Sequence, residues 1–303
     1  MTAVETALSL CGPIASVKLR EQSTRRKMIA DGQRYLQAEV LSEAKRVYIG
    51  TESCEYFLVR NALLLESAAE DLRQDRISVT LVLPPTGQAC WEGICHVVRR
   101  FAAQRLADEL VCNDIGMLLW ASSQNFPFRL RAGRHFDKAM REARIPAAEL
   151  PDIANNSELF TSPYLEQTPE GELLKQFGIC GAETDHIPGF QIRFPENQFY
   201  AFWYPRAILS YCTTCEFAGS GNALHEKFIP GNCMMQCMDY YISVHGASHQ
   251  KIIKSGRLVE TITHRSLRET CCGQARIVLQ CGIAFGKAKD SEDNCPNPGS
   301  GAV

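Results

Sequence analysis

From residue 46 onward the apolar positions switch repeatedly between two spacings. Short buried-type runs with period near two alternate with longer stretches whose apolar residues recur every three or four positions. Arg46-Val-Tyr-Ile-Gly50 reads as a strand. Cys54–Leu72 follows as a helical stretch, with Phe57, Leu58, Leu64, Leu65 and Ala68 at helical spacing. Ile77–Leu83 is a second strand, stopped by Pro84-Pro85. Ile94–Ala107 is amphipathic, with Val97, Val98, Phe101, Ala102 and Leu106 on one face. Glu109–Asp114 and Phe128–Gly133 give a third and a fourth strand, the latter leading into a charged helix over Arg134–Arg144.

The second half is less regular. Its expected elements are strands at Ser157–Pro163, Gly181–Ile187, Gln191–Phe194 and Phe199–Cys212, with a helix at Pro169–Phe177. Strands alternating with helices at roughly 25–35 residues per unit predict a parallel sheet, and seven or eight such units predict its closure. The expectation is therefore an α/β chain with a TIM-barrel-like (β/α) domain over 46–286. Residues 1–45 read as an N-terminal extension with a charged helical face, and the Gly-, Pro- and Ser-rich segment 287–303 as a disordered tail.

Composition narrows the class. Over 303 residues, 45% are hydrophobic and 22% charged, as in soluble globular proteins. A net charge of −2 supplies no global positive field, so there is no strong nucleic-acid signal. The first residues lack the pattern of a secretory signal, and no apolar run reaches the roughly 18 residues of a membrane span. The expected location is cytoplasmic. In that reducing compartment most of the fourteen cysteines stay free, and a subset is expected to bind metal.

The chemistry of a parallel barrel sits at the carboxyl ends of its strands. That rule selects Thr51, Glu52 and Cys54, then Asn113 and Asp114, then Gly133 and Arg134, then Glu183–His186, and finally Cys212. Arg134 suits bidentate pairing with a substrate carboxylate or a rim ion pair. His186 can shuttle protons or sit satisfied in a loop. Thiolates from distant strand ends suit an iron–sulfur cluster or zinc. Spacing leaves two assignments open, because Cys212-x2-Cys215 with Cys233-x3-Cys237 also reads as a structural zinc ribbon. Cys90 and Cys95 open a helix and are expected to pack there. The chain lacks the motifs of serine hydrolases, phosphate-loop enzymes and zinc proteases.

Four segments in order, Val47–Cys54, Val111–Leu118, Arg131–Arg134 and Pro205–Cys212, together resemble the collagenase-like peptidase family (peptidase U thirty-two). The resemblance spans about residues 46–240 and is nearest to the short branch of anaerobic ubiquinone-biosynthesis proteins, UbiV and UbiU. It implies a [4Fe–4S] cluster on Cys54, Cys212, Cys233 and Cys237, with Cys215 as an alternative to Cys212. It further implies oxygen-independent hydroxylation or related redox chemistry on a small or prenylated aromatic substrate, with prephenate as oxygen donor. Asn113, Asp114, Arg134 and His186 would then line a catalytic mouth, and a related subunit would be the partner. The rival expectations are a non-catalytic, metal-stapled accessory subunit and a peptidase.

Overall fold

Which residues face into the ring and which face the helices decides how this chain folds. The computed structural model describes residues 5–11, 22–39, 41–136, 169–185, 199–212, 215, 233, 235, 237, 241–245, 251–255, 257–262 and 275–281. Its strands are β1 (Glu5–Ser9), β2 (Arg46–Gly50), β3 (Ser78–Leu83), β4 (Glu109–Cys112), β5 (Arg129–Ala132), β6 (Gly181–Asp185), β7 (Phe199–Tyr204), β8 (Arg206–Tyr211), β9 (Ile242–His245), β10 (Lys251–Ser255), β11 (Leu258–Ile262) and β12 (Ala275–Gln280). The helices are α1 (Gln22–Ala38), α2 (Glu55–Arg60), α3 (Ala62–Gln74), α4 (Trp91–Ala103), α5 (Ile115–Ser123) and α6 (Pro169–Gln176).

Strands β1–β7 and β12 close into a parallel barrel, in which β12 lies between β7 and β1. The remaining four make an antiparallel sheet of order β8-β11-β10-β9, inserted between the seventh and eighth staves. The fold is α/β and TIM-barrel-like.

Residues 1–45 are not an extension, which corrects the boundary expected from the sequence. β1 pairs with β2 on one side and β12 on the other, and α1 is the first outer helix. Leu8 faces α1 so closely that a Cβ on Gly32 would lie 2.7 Å from its Cδ2. Arg25 of α1 is ion-paired with Asp71 of α3. The Phe199–Cys212 run is also not one strand: it breaks at Pro205 into β7, a barrel stave, and β8, part of the inserted sheet. After β5 only a 3-10 turn, Arg134–Phe136, is seen, and the rest of the expected charged helix lies outside the described residues. So do Ser157–Pro163, Gln191–Phe194 and the 287–303 tail.

Two cores result. Leu8, Val47, Ile49, Leu81, Leu110 and Leu279 face outward, where they meet Leu65, Ile94, Val98 and Phe101 from the helices. Each such side chain contributes about 1.5–3 kcal/mol on burial. The barrel interior holds a smaller apolar set that includes Ala7, Tyr48, Val82, Val111, Trp203 and Val278. Beneath and through it runs an ionic network. Arg276 donates to Glu109 at 2.6 and 3.0 Å and to the Tyr48 hydroxyl at 2.6 Å. Arg131 and the Trp203 indole both donate to Glu183, at 2.5 and 2.7 Å. Charges so deeply buried are tolerated because each meets its counter-charge.

Candidate functional site

The loop after β2 serves two places at once. A turn in which Thr51 Oγ1 accepts the Ser53 amide at 3.1 Å sends Glu52 toward the barrel axis and Cys54 away from it. All four residues 51–54 are buried.

On the axis, Arg134 is fully buried and saturated. Its guanidinium pairs with both oxygens of Glu52 and donates to Asp185 Oδ1 at 2.5 Å and to the Arg206 carbonyl at 2.9 Å. Glu260 of β11 stands at 3.4 Å, and the Trp203 ring lies 4.4 Å below. Arg206 in turn donates to Glu260 at 2.9 Å, while Asp185 accepts the Ile208 amide of β8 at 2.9 Å. The inserted sheet is thus bolted over the carboxyl end of the barrel, through three carboxylates and two guanidiniums. Burial pushes the Glu52 carboxyl up, and Arg134 pulls it back. Arg134 has no open edge for a substrate carboxylate, so its role as a substrate clamp is replaced by that of a structural bolt.

The other expected catalytic groups are likewise committed. Asn113 Nδ2 donates to the Leu83 carbonyl at 2.9 Å, and its Oδ1 accepts the His135 amide at 3.2 Å. Its close approach requires a residue without Cβ at Gly133, where a Cβ would lie 2.1 Å from Oδ1. Asp114 caps α5, accepting the Met117 amide at 2.9 Å. His186 lies outside the described residues. His135, which sequence reasoning passed over, sits half-buried instead. Its Nε2 is 3.0 Å from the Glu52 carbonyl, and its ring stands edge-on to Tyr211 at 5.1 Å.

Off the axis, thiols gather. Cys54 caps α2 and packs with Phe57, Tyr56 and Met235. Met235 donates its amide to Cys233 Sγ at 3.4 Å, and Arg60 of α2 donates to the Cys233 carbonyl at 2.5 Å. Cys237 is hydrogen-bonded with Cys215, and that bond first, then burial and the charges of Cys54, Cys215 and Cys233, drives its thiol far up. Burial raises Cys54, with Phe57 and Arg257 opposing and the charges of Cys233 and Cys215 adding. Cys215 and Cys233 both act on Cys54 and Cys237. Cys212 directly follows β8, and its amide donates to the Arg257 carbonyl at 2.8 Å. Cys90, at the start of α4, is close enough to feel Glu55 and Cys54, and burial with these charges pushes it up to about 11. Cys95 packs into the outer core, as expected.

Protein-family models, curated proteins and solved structures offer no match to this chain. Among the described residues every cysteine is free, and no helix is long and apolar enough to cross a membrane. Within the same residues no three His, Cys, Asp or Glu side chains stand at the spacing of single-ion ligands. The thiols are electrostatic neighbours rather than a closed ion cage.

Arg257, in the turn before β11, completes the site. Its Nη1 donates to Glu55 Oε1 and to the Tyr211 hydroxyl, both at 3.3 Å. Its buried Nε has no hydrogen-bond partner. A buried guanidinium near the Cys54 thiol supplies the positive polarity that an anionic thiolate-ligated centre needs.

Proposed function

We propose that this chain holds a [4Fe–4S] cluster on Cys54, Cys215, Cys233 and Cys237 and serves oxygen-independent hydroxylation or related redox chemistry on a small or prenylated aromatic substrate. One observation carries this reading: Cys54, in the loop after β2, packs with Met235, whose amide donates to Cys233 Sγ at 3.4 Å, so thiols more than 150 positions apart in sequence meet at one place. The segments resembling the short branch of the collagenase-like peptidase family add support, with Cys215 taking the place expected for Cys212.

When bound, such a cluster would supply one-electron chemistry at a potential set by burial and by hydrogen bonds to its sulfurs. The chain's own residues have separable parts in this. The four thiols hold the centre. Arg60 and Arg257 offset its negative charge, the former through the Cys233 carbonyl it binds. The inserted sheet, bolted down by Arg134, Glu52 and Asp185, keeps water off the inner side. A related subunit is the expected partner, placed to deliver electrons or substrate.

Zinc is the second reading, favoured by the direct Cys215–Cys237 contact. A tetrahedral ion with Zn–S near 2.3 Å needs all four sulfurs about 3.8 Å apart, a tighter set than a four-iron cluster requires. Anaerobic purification with metal analysis separates the two. The expected result is a brown protein with about four irons per chain, lost in Cys54→Ala, Cys215→Ala, Cys233→Ala and Cys237→Ala but kept in Cys212→Ala. Colourless protein with one zinc would instead make the site a staple, and iron lost with Cys212 rather than Cys215 would overturn the ligand set.

A further inference from the structure

Among the described residues, four that are not glycine take a left-handed backbone: Arg76 at φ 60°, Arg105 at 51°, Asn125 at 49° and Met235 at 57°. The first three do what such residues commonly do at a helix end. Each comes directly after the cap of a helix, Asp75 for α3, Gln104 for α4 and Gln124 for α5. Met235 closes no described helix. It stands instead between two thiols, Cys233 and Cys237. A side chain with no aptitude for this conformation persists in it only where the surroundings over-determine it, and such positions gather at functional sites.

The surroundings of Met235 act from three directions. Its amide donates to Cys233 Sγ at 3.4 Å. Its Sδ accepts from Asn61 Nδ2 at 3.7 Å, and the same nitrogen donates to the Phe57 carbonyl at 2.9 Å. Asn61 is buried at the junction of α2 and α3, so that donor is fixed. The Met235 side chain also packs against Cys54 and Phe57. One residue before Asn61, Arg60 donates to the Cys233 carbonyl at 2.5 Å. The α2 stretch therefore starts at one thiol and ends on two groups that grip the segment of another. An amide turned by a left-handed residue onto an electron-rich atom is the element from which backbone anion cradles are built.

We propose that Met235 is a positioning residue of the thiol centre: its left-handed backbone aims an amide at Cys233 Sγ, while its side chain, held by Asn61, braces that loop against Cys54. The consequence for a cluster rests on the reading above, whereas the aiming itself needs only the chain. Hydrogen bonds to ligand sulfurs help to set a cluster's potential. An N–H dipole on sulfur favours the more negative, reduced state, so its loss lowers the potential.

Two variants separate backbone from side chain. Met235→Val disfavours the left-handed conformation, because its side chain is β-branched, and Met235→Gly adopts it freely. In the iron-loaded chain Met235→Val should lower the reduction potential by about 59 mV, a tenfold change in the ratio of oxidised to reduced centre for one electron. Met235→Gly should lower it by less than half as much, with unchanged thermal unfolding showing that both variants fold. Equal falls in the two, or none in Met235→Val, would overturn the proposal. A second measurement needs no metal and no change at Met235. In the reduced, metal-free wild type the Met235 amide, followed by NMR, should exchange roughly tenfold more slowly than in Cys233→Ala, while the amides of α3 keep their rates. Equal Met235 rates would also overturn the proposal. A chain that purifies without iron yet shows the difference sinks the cluster reading alone; an iron-loaded chain with equal rates sinks the positioning role alone.

Discussion

At the scale of single residues, charge inside the barrel decides both stability and what could be read in advance. Glu109 shows the energetics. Burial alone would raise its carboxyl, but Arg276, with Arg131 and Arg46 behind it, holds it at about 2 against an ordinary 4.5. The folded value lies below the unfolded one, so the stabilisation is complete above pH 4.5. It fades as the solution is acidified toward pH 2. A shift of this size corresponds to on the order of 3 kcal/mol. Urea midpoints measured from pH 6 to pH 2 should therefore fall steeply for the wild type. Glu109→Gln should start lower and show a flatter acid limb. The same burial explains why single residues misled. Cys212 and Cys215 have equally good spacing, and spacing alone does not say that Cys215 is hydrogen-bonded with Cys237 while the Cys212 amide donates to the Arg257 carbonyl. Arg257 carries no motif at all. It becomes visible once the turn before β11 is seen against Glu55 and Tyr211.

Elements were legible where their faces are plain and illegible where the barrel interior is ionic. β2, β3 and α4 follow from apolar spacing because helices cover their outer side. β1, with Glu5, Thr6 and Ser9 in five residues, reads as solvated chain, yet its residues other than Glu5 are buried. β6 carries Glu183 and Asp185 and is buried throughout. The inserted sheet was hidden for a different reason: β7 and β8 run on with only Pro205 between them, so one apolar stretch spans two sheets. What ties that sheet to the barrel is the Arg134 cluster, and its removal tests the tie. Arg134→Ala leaves Glu52, Asp185 and Glu260 facing one another with Arg206 as the remaining guanidinium of the cluster, which should cost about 3–5 kcal/mol. Chemical denaturation should register that loss. Amide exchange should then speed up first in β8 and β11 while β2–β4 stay protected.

For the whole molecule, closure depends on the segment that the sequence reading set aside. Without β1, β2 and β12 would each keep an unpaired edge, and Leu8 and Leu10 would leave the outer core. Deleting residues 1–11 should therefore give aggregated rather than merely weakened protein, as seen by size-exclusion chromatography, whereas removing 287–303 leaves every described strand in place. The barrel itself was expected from the count and spacing of strand–helix units; its true first unit was not, for want of an apolar signature.

That arrangement also sets a clock. Arg276 reaches back 271 positions to Glu5, so the opening stave of the ring meets its final neighbour only after all the residues between them have been translated. At about 5–20 residues per second the interval is roughly 15–55 s. Throughout it β1 has β2 beside it and nothing on its other flank, leaving a nascent chain whose sticky border must be shielded until the last stave emerges from the ribosome.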